Sequence, residues 1–377
     1  MQRGMENGHP KNPLKLKYFR HQPDLGLPTY ATRFQRPLQS VKSVWLERDV
    51  HMKYSAMGFE IFGAPEVFSK MELDLPQPNA SQVVAKVEAS SVNFADVMAR
   101  QGKYPIPGPP YIPGLDFVGR VVKAGSAIGE PFVGKRVLGF SDTGSYATEV
   151  LANIDLLFEI PDEISATAAA ACPLLLGTTY ALLHRGGGLK PGDSLVIHAA
   201  GGGIGLTAIQ MAKQLGAGSI IGLVSSASKA DAVLEHGATH VVVTGETPGY
   251  PETVKNTHPE GVNFILNSVA GSTIQQDLEI LQPGGQITVF GMASGEPGIA
   301  RSDQLHHSSR TISGFSFGQL RRTDPKAAHR IMELALPFFI NGTVRFDRVT
   351  EYSLFDVARA HKDLESRTTV GKLVLIV

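Results

Sequence analysis

From residue 52 to about residue 156, apolar and polar residues alternate over short stretches that end at glycine or asparagine. "SQVVAKVEASSVN" (81–93) and "DFVGRVVKAG" (116–125) show this two-residue period, which predicts strands with one buried face. Between them, the prolines and glycines of "YPIPGPPYIPG" (104–114) predict a loop. The pattern changes at about Leu174. "DSLVIHAA" (193–200) reads as a buried strand, and after several glycines "GLTAIQMAKQLGA" (205–217) reads as a helix closed by Gly216. "SIIGLVSS", "HVVVT", "GVNFILNSV" and "GQITVFGM" predict further strands, with a second helix over "SKADAVLEHGA". Strands alternating with helices predict a parallel, doubly wound sheet. After about Phe315 come an amphipathic helix, "AAHRIMELALPFFING", and a last strand, "GKLVLIV", expected to return to the first domain. The most apolar stretch is 166–183, "ATAAAACPLLLGTTYALL". Pro173, Gly177 and the pair Thr178-Thr179 interrupt it, so it reads as a buried helix pair at a domain junction, not a membrane span.

Composition narrows the picture. At 377 residues the chain is expected to hold about two domains. A formal net charge of zero argues against a nucleic-acid binder, which usually carries a basic excess. The single cysteine, Cys172, cannot form a disulfide within the chain and nearly excludes a cysteine-based zinc site. It also suggests a reducing compartment. His306-His307 is an adjacent pair, which does not place both rings on one helix face, so it reads as surface. Residues 1–51 stand apart, with nine Lys/Arg against four Asp/Glu and the one tryptophan, Trp45. They read as a disordered extension, with a mitochondrial targeting segment or an over-long reading frame starting properly at Met52 as alternatives. Without that targeting segment the expected location is the cytoplasm.

The strongest chemical signal is "VIHAAGGGIGLTAIQMAKQLGA" (196–217), where a strand runs through glycines into a helix. Glycines let backbone amides approach a pyrophosphate, and the helix N-terminus adds positive dipole. The spacing is Ala199-x-x-Gly202-x-x-Gly205, with Gly203 also available; Leu206 stands where a strict GxGxxG needs glycine. At the end of the next strand, where an NAD enzyme places a carboxylate for the ribose 2′-hydroxyl, the chain reads Ser225-Ser226-Ala227-Ser228-Lys229. Hydroxyls and a lysine suit a 2′-phosphate, so NADPH is the expected cofactor.

"FGAPEVF", "VNFADVMARQGKYP", "PGLDFVGRV", "HAAGGGIG", "GVNFILNSVAG" and "GKLVLIV", in that order, resemble the medium-chain dehydrogenase/reductase superfamily. The resemblance is to its zinc-free quinone oxidoreductase branch, the zeta-crystallin and vesicle amine transport protein 1-like group. It implies an α/β architecture: a GroES-like catalytic domain over 52–174 and 315–377, and a Rossmann NADPH-binding domain over 175–314. It further implies cofactor contacts from Asn93, Thr179, Gly202, Gly203, Gly205, Ser225 and Lys229. The backbone at Phe290-Gly291 and Gly314-Phe315 would flank the nicotinamide, and Lys372 is a candidate for the phosphate side. Tyr104 and Asn93 are the implied catalytic residues. A tyrosine hydroxyl stays protonated at neutral pH and can donate to substrate; packing on the neighbouring prolines is the alternative for Tyr104. Asn93 could orient ribose, nicotinamide or a substrate carbonyl, or simply end a strand. Asp96 is expected to cap the helix that follows or to fix Asn93.

Two departures from the group stand out. Thr244 occupies a place where many relatives carry tyrosine beside the 2′-phosphate, and Asn267 replaces an aspartate. The implied activity is zinc-independent hydride transfer from NADPH to a quinone or enone, whose conjugation disperses the arriving charge. An enoyl-thioester (CoA or ACP) reductase and a non-catalytic NADPH-binding scaffold are the alternatives. The partners implied are a small-molecule substrate and a second copy in a homodimer.

Overall fold

The computed structural model describes residues 53–245 and 249–377, so the expectations for residues 1–51 and for a start at Met52 lie outside the described residues. A hairpin of Lys53–Phe59 and Phe68–Asp74 precedes a seven-stranded sheet. Within that sheet Gln82–Val92 lies between the C-terminal strand Lys372–Ile376 and Asp116–Ala124, antiparallel to both. Register decides what meets at its end. Leu373 pairs with Val92 and Phe117 with Ser90, so Lys372, Asn93 and Asp116 converge at one edge of three adjacent strands.

The second sheet is six-stranded and wholly parallel. Its order is His240–Val243, Ser219–Val224, Ser194–Ile197, Val262–Asn267, Leu281–Val289, Thr311–Gly314. Ser194–Ile197 comes first in the chain yet sits in the middle. The next two strands extend the sheet to one side, and the following three to the other. The crevice outside its carboxyl end is therefore the topological switch point, where open α/β sheets hold ligands.

One apolar core joins the two sheets. Val118, Leu138 and Phe140 of the first and Leu195, Ile197 and Leu266 of the second belong to the same buried cluster. At its centre is a single helix, Ala166–His184, not the expected pair. Ser165 caps it by accepting from Ala168 N at 3.2 Å. Pro173 removes an amide and should break the helix. Leu174 N, the next amide, instead donates to the buried carboxylate of Asp116 at 3.0 Å, and the helix runs on. Its apolar length is spent on this core: 72% of its most apolar window is buried.

Candidate functional site

The glycine turn sits at the switch point. Strand Ser194–Ile197 leads through Ala199, held at φ +50°, into helix Gly203–Gln214. Gly202 precedes the helix without a capping side chain, so the first-turn amides face outward uncapped. The glycines have different tasks. A Cβ on Gly205 would stand 2.4 Å from the carbonyl oxygen of Ala200, so this glycine is required by packing. A Cβ on Gly203 would meet Leu175 at 2.8 Å. On Gly202 it would meet only Ala199 O, at 3.3 Å, and otherwise point into open space. This is the side from which a pyrophosphate can approach.

Beside the turn lies a concentration of positive charge. Ser225 is exposed at the end of strand Ser219–Val224, and the hydroxyls of Ser226 and Ser228 are 2.9 Å apart. Lys229 packs its stem within 3.2 Å of where a Cβ on Gly201 would be, and its Nζ donates to the carbonyl of Arg367 at 2.6 Å. Burial, and then the Arg367 charge, lower the lysine's pKa. Arg367 is exposed, at φ +59°, and donates through Nη2 to Ala293 O at 3.2 Å. Two cations thus adjoin the turn, and neither forms an ion pair among the described residues. No local pattern marks Arg367, which arrives 138 positions from its lysine partner. Thr244 spends its hydroxyl on Val224 O at 3.1 Å, so it contributes to the end of the strand and has no donor left for a phosphate.

Thr179 fits a ligand for a different reason. It is fully buried in helix Ala166–His184, and its Oγ1 has no hydrogen-bond partner. A buried hydroxyl rarely stays unpaired without a ligand or water to meet. Phe290-Gly291 and Gly314-Phe315, at the ends of two neighbouring strands, line an open pocket of about 520 Å³ with Arg185, Ser316 and Gln319. The guanidinium of Arg185 lies 5.0 Å from the centre of the Phe315 ring.

At the sheet edge, Asn93 does something the sequence did not suggest. Both amide hydrogens are taken by protein: Nδ2 donates to Asp116 Oδ1 at 2.9 Å and to Ser91 Oγ at 3.2 Å, while Lys372 Nζ donates to Oδ1. Asn93 is therefore the hub of a buried network, with no amide hydrogen left to donate to a ligand. Lys372 also needs correction. Its backbone neighbour Gly371 bonds to Gly201 O at 2.9 Å, but its side chain is buried and turned to Asn93, away from the phosphate side. Burial lowers its pKa, while Asp116 and Asp96 pull the other way. Asp96 fills both expected roles: its carboxylate accepts from Asn93 N at 2.9 Å at the start of helix Phe94–Arg100, and from Gly114 N at 3.0 Å. Asp116, the acceptor that ties Asn93, Ser91 and Leu174 together, was missed because no local pattern marks it.

Tyr104 is half-buried, and its hydroxyl oxygen lies 2.9 Å from where a Cβ on Gly318 would stand. It therefore rests on the Gly318 side of helix Phe317–Thr323, whereas Gln319, Leu320 and Thr323 on the opposite side line the 520 Å³ pocket.

Asn267, where an aspartate was expected, uses its amide fully. Its Oδ1 accepts from the amides of Val269 and Ala270, both at 2.8 Å, and its Nδ2 donates to Asp277 Oδ2 at 2.6 Å. A carboxylate there would confront Asp277. His198 and Tyr250 complete that network, each 2.8 Å from Asp277 Oδ1.

Among the described residues, no group of three His, Cys, Asp or Glu side chains is placed to hold a metal. Cys172 is fully buried, and burial raises its thiol pKa. His306 and His307 are exposed, but their ring centres lie only 4.0 Å apart, closer than their adjacency implied.

Comparisons with known proteins agree with this layout. Residues 79–162 match the alcohol dehydrogenase GroES-like domain, and residues 203–333 match the family described as zinc-binding dehydrogenase. A quinone oxidoreductase of Salmonella typhimurium is 32% identical over 327 residues, which is 84% of this chain and 98% of that protein. The human synaptic vesicle membrane protein VAT-1 homolog is 29% identical over 318 residues, 80% of each chain. The crystal structure of Escherichia coli quinone oxidoreductase complexed with NADPH superposes with a TM-score of 0.78 at 32% identity, over 86% of this chain and 100% of that one.

Proposed function

Because the chain belongs to the medium-chain dehydrogenase/reductase superfamily, in its quinone oxidoreductase and VAT-1 homolog branch, we propose that it is an NADPH-dependent, zinc-independent reductase of quinones or α,β-unsaturated carbonyls. The observation that carries this reading is the glycine turn flanked by Lys229 and Arg367, with no carboxylate where an NAD enzyme would place one. When bound, NADPH supplies hydride at the nicotinamide. The chain's own residues do the rest. First-turn amides around Gly202 and Gly203 hold the pyrophosphate, while Lys229, Arg367 and Ser225 hold the 2′-phosphate. Thr179 Oγ1 offers its unpaired hydroxyl to the nicotinamide half, and the backbone at Phe290-Gly291 and Gly314-Phe315 walls the ring's pocket. Tyr104 donates to the acceptor's oxygen as negative charge develops there. The Asn93–Asp116–Lys372 network keeps the adjoining backbone rigid. Strand Thr311–Gly314 ends the parallel sheet, and this open edge supports a homodimer.

The test is steady-state NADPH oxidation with 9,10-phenanthrenequinone, 1,4-quinones, small enones and crotonyl-CoA. Quinones or enones are expected to be reduced with kcat/KM at least about tenfold above that for the thioester. Turnover of crotonyl-CoA alone would make the chain a thioester reductase. NADPH binding with no turnover of any acceptor would make it a scaffold.

A further inference from the structure

The buried carboxylate of Asp277 has no role in the scheme above. It lies on helix Thr273–Ile280, fully buried, and accepts three hydrogen bonds. His198 Nε2 and the Tyr250 hydroxyl reach Oδ1, both at 2.8 Å, and Asn267 Nδ2 reaches Oδ2 at 2.6 Å. The last of these orients the amide. With Nδ2 committed to Asp277, Asn267 Oδ1 faces the loop that follows, where it accepts from Val269 N and Ala270 N at 2.8 Å. The loop needs such a hold. Ala270 sits at φ +58°, a left-handed conformation that a side chain disfavours, and Gly271 follows at +59°.

This loop in turn carries a wall of the 520 Å³ pocket. Ser268 O accepts from Ala293 N and Val269 O from Ser294 N, both at 3.0 Å, while Asn267 O accepts from Phe290 N at 2.9 Å. Gly291 packs so closely that a Cβ on it would stand 2.7 Å from Ser268 O. Phe290 and Gly291 themselves line the pocket. A displacement of residues 268–271 therefore passes straight to the wall assigned to the nicotinamide. General stabilisation of the fold is the alternative role for a satisfied buried carboxylate. It would affect both halves of the cofactor alike. Among the described residues, no hydrogen bond joins residues 268–271 to the glycine turn or to Lys229.

We propose that Asp277 is a positioning residue for hydride transfer, which acts through Asn267 to set the loop Ser268–Gly271 and the pocket wall packed on it. This rests on the reductase reading and adds a buried support to its site.

The pair can be exchanged, and the exchange is the test. D277N sets one amide NH₂ against another. N267D sets two buried carboxylates together, which only a shared proton can bridge. In N267D/D277N the carboxylate accepts from the loop amides, the amide donates across the pair, and the acceptor for His198 and Tyr250 is kept. Calorimetry compares NADPH with 2′,5′-ADP, which lacks the nicotinamide half, and kcat is measured with a quinone or enone. D277N is expected to weaken NADPH about tenfold or more and 2′,5′-ADP less than about threefold. Relative to wild type, N267D should bind NADPH progressively less well as pH rises from about 6 to about 8.5, because the shared proton is lost. The double variant should recover NADPH affinity and kcat and lose the pH dependence. Unchanged NADPH affinity in both single variants overturns the inference. So does equal weakening of the two ligands, which marks general stabilisation, or a double variant that recovers nothing. If D277N does not fold, N267D and its pH profile decide the matter. If the wild type binds NADPH but reduces no acceptor, the reductase reading fails, and the two-ligand comparison still judges Asp277.

Discussion

His361 and Asp96 are buried groups pushed in opposite directions. His361 Nε2 meets the Tyr146 hydroxyl at 3.1 Å while its Nδ1 has no partner, and burial, then Arg100, push its pKa from 6.5 down to about 3. Between those values the unfolded chain takes up a proton that the folded ring refuses, so stability is lost as pH falls from 6.5 toward 3. Asp96 does the reverse. Burial outweighs its two backbone hydrogen bonds and lifts its pKa from 3.8 to about 6, so its contribution grows as pH falls through 6. From pH 6 to pH 4 the two slopes oppose each other. H361Q removes only the first. Relative to wild type it should gain about 1.4 kcal/mol of unfolding free energy for each pH unit of acidification across that window. Urea unfolding at pH 4, 5, 6 and 7 measures this, and parallel curves for the two proteins would show that His361 is not held neutral. At this scale the sequence was informative only where contacts are local. Ser225 and Lys229 announce themselves from the strand they follow. Asn93, Asp116 and Lys372 meet across 23 and 279 positions, so local reading could weigh Asn93 only as a cofactor or substrate contact or a strand end, and Lys372 as a phosphate contact, without seeing that they join.

Among the elements, the βα turn was the most legible, because a glycine cluster between strand and helix has few other uses. The structure adds a division of labour that spacing alone could not supply. Gly205 is demanded by the backbone of Ala200, whereas Gly202 faces open space in an extended conformation, φ −85° and ψ 171°, that any residue adopts. G202A should therefore keep a melting temperature close to wild type while NADPH affinity falls at least about tenfold, since the new methyl stands where the pyrophosphate must approach. G205A should lose both, with roughly 1–3 kcal/mol of stability gone to overpacking. Equal melting temperatures and equal NADPH affinities for the two variants would remove the distinction. Helix Ala166–His184 was misread as a pair because Pro173 is a breaker by local rules. The buried acceptor for the following amide belongs to a strand 58 positions earlier, and no local rule can anticipate it.

For the molecule as a whole, alternating patterns identified the two sheet types, and the ordered blocks identified the family. What they left open was how the parts join. Register brings the last strand beside Gln82–Val92, and a single core runs between the sheets. The same closure places Arg367, five residues before that strand, against Lys229, in the turn that follows strand Ser219–Val224 of the parallel sheet. The phosphate end of the cleft is thus assembled from the middle and the C-terminal end of the described chain, and the central claim is that this pair of cations reads a 2′-phosphate. Calorimetric titration of the protein with NADPH and with NADH, repeated on the K229A/R367A double variant, tests it most directly. NADPH should bind at least about tenfold more tightly than NADH, and the double variant should bring the two to near equality by weakening NADPH alone. Preference for NADH, or a preference for NADPH that survives loss of both cations, would contradict it.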